Sequence, residues 1–278
     1  MVTLVKLRKC RTWHGAVLIE LNRCYNATLS TFTTDPFAFR DILRRTGSLV
    51  SGSAALWFLL RTPDDWSPVD VDILTPRLAF DPVVRLIQDL IGSQAQITFT
   101  RRPHGEPGPY TRRCTIHAGD FRIDIMESQT DSPFTVMMGY WSTHIMNGLM
   151  ADSFWSAYPS LTLRGMGVEN YCETGGCHSA SMSECHGRRF TLFKEGENVQ
   201  FVDPKGDCGG FSACPNRNRF MGDALTLKLS MLQETDEEFV QSLVGSYTVG
   251  WRLGWSACGS SRCFMPGELE TYCLQWVA

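Results

Sequence analysis

Two aspartates one residue apart lie inside a β-branched run, Val69-Asp70-Val71-Asp72-Ile73-Leu74. On a strand, residues i and i+2 share a face, so Asp70 and Asp72 point the same way. Paired carboxylates on an otherwise buried strand repel each other and are costly to desolvate. A divalent cation removes that cost, and hard oxygen ligands of this kind suit magnesium or manganese. A third acid, Asp124, has a matching setting in Phe121-Arg122-Ile123-Asp124-Ile125-Met126. The three carboxylates read as one metal site. Upstream, Gly52-Ser53 ends a short apolar run and opens a helix. Backbone N–H groups at the start of that helix suit a phosphate tail, and Ser53 adds a hydroxyl. Each piece has an ordinary alternative: Gly-Ser is a common tight helix start, and a lone Asp-x-Asp is a weak signal. Taken in this order, the pieces form a set able to hold two metal ions against a nucleoside triphosphate and activate an attacking hydroxyl.

The elements that must position these residues follow from periodicity and punctuation. Asp35-Pro36 starts a helix that runs through Phe37, Ile42 and Leu43 to Gly47. A short strand is expected over 48–51, a helix with an almost wholly apolar surface over 53–61, a loop over 61–68 and a strand over 69–74. Asp81-Pro82 opens an amphipathic helix carrying Val83, Val84, Leu86, Ile87, Leu90 and Ile91, which ends at Gly92. Strands over 96–101 and 112–118 flank the loop RPHGEPGPYT, and Gly119-Asp120 turns the chain into 121–126. Residues 35–132 are therefore an α/β (α+β) core with one mixed sheet flanked by helices. Residues 1–34 hold only short apolar pieces without a clear period and are expected at the periphery. Residues 133–278 are expected to be a helical and Cys-rich region packed on the core, with helices near 140–150 and over 221–232.

This pattern of Gly-Ser, then apolar-Asp-apolar-Asp-apolar, then a third strand-borne Asp resembles the DNA polymerase beta-like nucleotidyltransferase superfamily over residues 47–126. The phrases SGSAAL, WSPVDVDIL and STHIMN are similar to those of a group of fungal proteins with this core. The resemblance implies that Gly52 and Ser53 hold the triphosphate of an NTP. It implies that Asp70 and Asp72 bind both Mg2+ or Mn2+ ions. Asp124 would bind the ion at the attacking hydroxyl and help to deprotonate it. An NMP would pass to a hydroxyl acceptor, with nucleic acid among the candidates. Sixteen residues separate Ser53 from Asp70, longer than is common in the superfamily, with RTPDDW as the apparent insert.

Other features bear on function less directly. The formal net charge of -3 is unevenly spread: the first 150 residues carry 16 basic and 14 acidic side chains, the remainder 10 and 15. That excludes a generally basic nucleic-acid binder but leaves room for a local patch. Arg101, Arg102, His104, Arg112, Arg113 and Arg122 crowd the segment between the second and third carboxylates. They could guide phosphates, or simply keep an edge hairpin soluble. Glu127 faces away from Asp124 and reads as surface. Eight of the eleven cysteines follow residue 151. Cys172, Cys177, Cys208 and Cys214 are candidate structural zinc ligands, with scattered thiols or partial disulfides as the alternative. The N-terminus has no apolar leader and no apolar run is long enough to span a membrane, so no membrane partner is expected and the chain is expected inside the cell, cytoplasmic or nuclear. Two other functions fit parts of the pattern. One is an inactive descendant of the same fold acting as a binding or scaffold module. The other is a glycosyltransferase using Asp-x-Asp, although only 69 residues precede Asp70 and that class has no need of Asp124.

Overall fold

The computed structural model of the chain describes residues 11–61, 66–92, 95–103, 108–170, 190–193, 219–223, 225–232, 249–251 and 253. The candidate zinc ligands Cys172, Cys177, Cys208 and Cys214 lie outside them. Cys24 and Cys114 are free thiols. No helix is long and apolar enough to cross a membrane among the described residues.

The elements in chain order begin with α1 (Arg11–Leu29), α2 (Pro36–Thr46), β1 (Leu49–Ser51), α3 (Gly52–Leu60), β2 (Asp70–Thr75) and α4 (Phe80–Ile91). The strands β3 (Gln96–Arg101), β4 (Tyr110–Ala118) and β5 (Phe121–Ser128) follow, then the short α5 (Phe134–Met138), β6 (Asn147–Met150) and β7 (Ser153–Ser156). The remaining pieces are α6 (Pro159–Thr162), β8 (Met166–Val168), β9 (Thr191–Phe193), β10 (Arg219–Phe220), β11 (Leu227–Ser230) and β12 (Gly250–Trp251).

Eight strands form one sheet in the order β11-β7-β6-β1-β2-β5-β4-β3. Within this sheet, among the described residues, β2 and β5 pair in parallel and the other pairs are antiparallel. Alternation sorts the side chains onto two faces. Val50, Val71, Ile73, Ile123, Ile125 and Phe154 point into the larger core, where α1 to α4 cover the sheet. Leu49, Leu74, Met126 and Trp155 point into a second core with α5, Tyr158 and Trp251. The sheet is thus mixed and flanked on both faces, as expected of an α/β core.

Local chemistry explains the helix ends. Asp35 accepts hydrogen bonds from the N–H groups of Phe37 (3.1 Å) and Ala38 (2.9 Å), Pro36 fills the first turn, and Gly47 closes α2 at φ +65°. Asp35→Ala removes this cap and is expected to cost about 1 kcal/mol, read as a lower midpoint in thermal unfolding. Apolar apart from Ser53, α3 is buried on several sides: Ala54, Ala55, Phe58 and Leu59 in the main core, and Leu56 against Phe190.

The structure departs from the sequence-based expectations in four places. Residues 11–29, expected at the periphery, form a helix whose Val17, Leu21, Tyr25 and Leu29 lie in the main core. Their spacing of four is a helical stripe, diluted in sequence by the polar residues between them. The helix expected near 140–150 is instead a 3-10 turn at Thr143–Ile145 followed by β6. Asn147, Gly148 and Leu149 are all buried, so the strand shows no alternation to betray it. The helix expected over 221–232 is interrupted at Asp223, whose carboxylate accepts from the N–H groups of Phe220, Leu225 and Thr226. That locks a turn, and β11 then adds to the sheet beside β7. Glu127, read as surface, is buried and is held by Thr111 and Arg112.

Arg219 secures the turn at Asp223. Fully buried, it ion-pairs with Asp223 and lies over the rings of Tyr158 (4.8 Å) and Trp251 (5.3 Å). A buried guanidinium is tolerable only with such partners.

Candidate functional site

The three predicted carboxylates come together on the sheet face opposite α1 to α4. Because β2 and β5 run parallel, Asp72 lies in register with Asp124, and Asp70 with Arg122. On the next strand Thr115 is the register partner of Asp124. Across the other edge of β2, Asp72 pairs with Ser51, the residue just before α3. The sheet therefore delivers the Gly52-Ser53 turn directly to the carboxylates.

That turn is in contact with both members of the pair. Gly52 has φ +62°, and a Cβ at this position would lie 2.1 Å from Asp72 Oδ2. Only a residue without a Cβ fits so close an approach in the left-handed region. The Ser53 hydroxyl donates to Asp70 Oδ1 at 2.8 Å. Ser51 gives its hydroxyl to the carbonyl of Asn147 (2.6 Å) and makes no side-chain cap on α3. Ser51 thus leaves the first-turn N–H groups of α3 uncapped by its own side chain, as an anion site requires.

Each carboxylate has different neighbours. Asp124 is buried, 1% exposed. It accepts from Thr115 Oγ1 at 2.6 Å and from Arg113 through Nε (3.0 Å) and Nη2 (2.5 Å). Arg122 Nε stands 3.0 Å from the same group and pairs through Nη2 with Asp70 Oδ2 at 2.5 Å. One guanidinium thus bridges two carboxylates. Asp72 forms no direct ion pair with an arginine among the described residues and accepts from the Tyr140 hydroxyl at 3.3 Å. Burial, followed by the charges of Asp70 and Asp124, pushes its carboxyl up to about 7. Burial and the charge of Asp72 likewise raise Tyr140 well above the usual phenol range.

Three of these residues came from expectations about other features, or from none. Of the hairpin arginines, Arg113 and Arg122 face the carboxylates. Arg112 instead pairs with Glu127 and Asp81, and Arg102 lies over the Tyr110 ring. The strand parity of Arg113-x-Thr115 and Arg122-x-Asp124 could have separated these roles. Tyr140 carried no sequence signal. It is set over Asp72 by Asn170, whose side-chain amide donates to the carbonyls of Met138 (3.2 Å) and Tyr140 (3.0 Å).

The donor set suits a hard cation. Asp72 is a partly buried carboxylate whose charge is opposed by Asp70 and Asp124 and only partly offset by Arg113. Oxygens of Asp70 and Asp124 are taken by arginines, and no three His, Cys, Asp or Glu side chains are grouped to hold a metal ion among the described residues. Asp70, Asp72 and Asp124 are oxygen donors on one sheet face, and a cation would reach all three only in exchange for guanidinium. No protein-family model matches the chain, and no curated protein matches it in sequence.

Proposed function

We propose that the chain is a metal-dependent nucleotidyltransferase of the DNA polymerase beta-like kind, moving an NMP from an NTP to a hydroxyl acceptor. One observation carries the proposal: the Gly52-Ser53 helix start lies directly against Asp70 and Asp72, with Asp124 in register on the neighbouring strand. Phosphate-binding backbone and cation-binding carboxylates are thereby brought to one place, as transfer of a nucleotidyl group demands.

Asp70, Asp72 and, once its arginines are displaced, Asp124 would hold magnesium or manganese. Such an ion supplies charge neutralisation on the phosphates and polarises the attacking hydroxyl. The chain's own groups do the rest. The N-terminus of α3 and Ser53 orient the triphosphate tail. Arg113 and Arg122 supply positive charge beside it. Asp124 has three donors on it in the arrangement seen, so it becomes free to meet an incoming hydroxyl only once those donors move away.

A second reading, an inactive fold serving as a binding module, draws on those same arginine pairs, which close Asp124 off. Binding separates the two readings. Labelled ATP, GTP, CTP and UTP are expected to bind in the presence of Mg2+ or Mn2+ and to lose at least tenfold in affinity in Asp70→Asn/Asp72→Asn, the scale of two lost charged contacts. A correctly folded protein that binds none of them would leave the module reading.

A further inference from the structure

We infer that Arg113 and Arg122 are exchangeable counter-charges, which hold Asp70 and Asp124 in the ligand-free site and pass to a polyphosphate anion when a divalent cation takes their place. The inference rests on the nucleotidyl-transfer reading and adds how its site is loaded. The arrangement contains three carboxylates and two guanidinia within one cluster. Asp124 is almost fully buried and cannot stand charged and alone, so its arginines leave only when another cation arrives. The arginines themselves are able to leave: the Arg113 side chain is 33% exposed and that of Arg122 42%. Long guanidinium arms at the rim can swing without opening the core.

The destination is close. Arg122 Nη2 contacts one oxygen of Asp70 while the Ser53 hydroxyl contacts the other. A phosphate chain seated on the start of α3 is thus within reach of the Arg122 arm, and guanidinium matches phosphate geometry with two parallel donors. Cation and anion each take the partner that the other releases. Binding of one therefore favours the other, and by linkage the effect is mutual.

Removing the exchangeable charge should move the two ligands in opposite directions. In Arg122→Ala, Mn2+ alone, measured by loss of the free-ion electron paramagnetic resonance signal, is expected to bind about tenfold more tightly because its competitor has gone. Magnesium tripolyphosphate, measured by calorimetry, is expected to bind about tenfold more weakly because its guanidinium has gone. Arg122→Lys, which keeps the charge but not the two-carboxylate bridge, is expected to show the same signs with smaller shifts and serves if the alanine variant misfolds. Affinities that change in the same direction, or not at all, overturn the exchange. Asp72→Asn run alongside separates the two failures. Loss of Mn2+ binding in that variant with no effect at Arg122 removes the exchange alone. Wild-type Mn2+ binding no better than in Asp72→Asn removes the metal site and the exchange with it.

Discussion

Gly52→Ala is expected to destabilise the chain by about 2–5 kcal/mol and to abolish binding of a nucleoside triphosphate. Two separate costs add. A residue with a Cβ at φ +62° loses about 1–2 kcal/mol to the left-handed backbone. Its methyl would also lie 2.1 Å from Asp72 Oδ2 and 3.1 Å from Cγ, and overpacking of this kind costs about 1–3 kcal/mol. The carboxylate has little room to give way, because the same oxygen accepts from Tyr140. The midpoint of thermal unfolding should fall by roughly 5–15 °C for a chain of this size. Gly119→Ala is the matched control: φ is +59° and nothing lies within 4 Å of the added methyl. It should show the backbone cost alone, about 1–2 kcal/mol, with binding intact. Equal losses at the two glycines would mean that Gly52 is a turn residue and nothing more.

Asp72→Asn is expected to stabilise the protein at pH 8 while removing its metal-dependent binding. A carboxyl raised from 3.8 to about 7 in the folded state is easier to ionise in the unfolded chain, so ionisation opposes folding. Below pH 4 the group is protonated in both states and costs nothing. The cost grows as pH rises from 4 to 7 and is complete above 7. At about 1.4 kcal/mol for each pH unit, the upper bound is about 4 kcal/mol, and partial solvation of Asp72 brings the expected gain for asparagine to about 1–3 kcal/mol. Urea unfolding of both proteins from pH 4 to pH 8 checks the sign. The gap should widen with rising pH and narrow again for the wild type when Mg2+ is added at pH 8. A variant less stable than wild type at pH 8 would show that Asp72 is satisfied as it stands.

The parts of the fold that were legible in sequence had strong local punctuation. Asp35-Pro36 and Gly47 delimit a helix through chemistry that acts within a few residues. The alternation in 69–74 and 121–126 assigned each residue to a face, and the parallel pairing of β2 with β5 then put Asp70, Asp72 and Asp124 together. What escaped were relations set by distant segments. The stripe of Val17, Leu21, Tyr25 and Leu29 acquires meaning only against the core it meets. β6 and β11 are strands because partners wait for them in the sheet, although the stretches 140–150 and 221–232 around them read as helices in sequence. Within the site, the pairing of Arg113 and Arg122 with the carboxylates depended on strand register, and the place of Tyr140 on a loop fastened by Asn170.

The most direct test of the central claim is a crystal of the protein grown with Mn2+ and a non-hydrolysable NTP, with the ion located by anomalous scattering. Mn2+ is expected between the carboxylates of Asp70 and Asp72, the triphosphate on the first turn of α3 at Ser53, and Arg122 withdrawn from Asp70. Manganese and nucleotide seated elsewhere, with Arg122 still bridging Asp70 and Asp124, would contradict it.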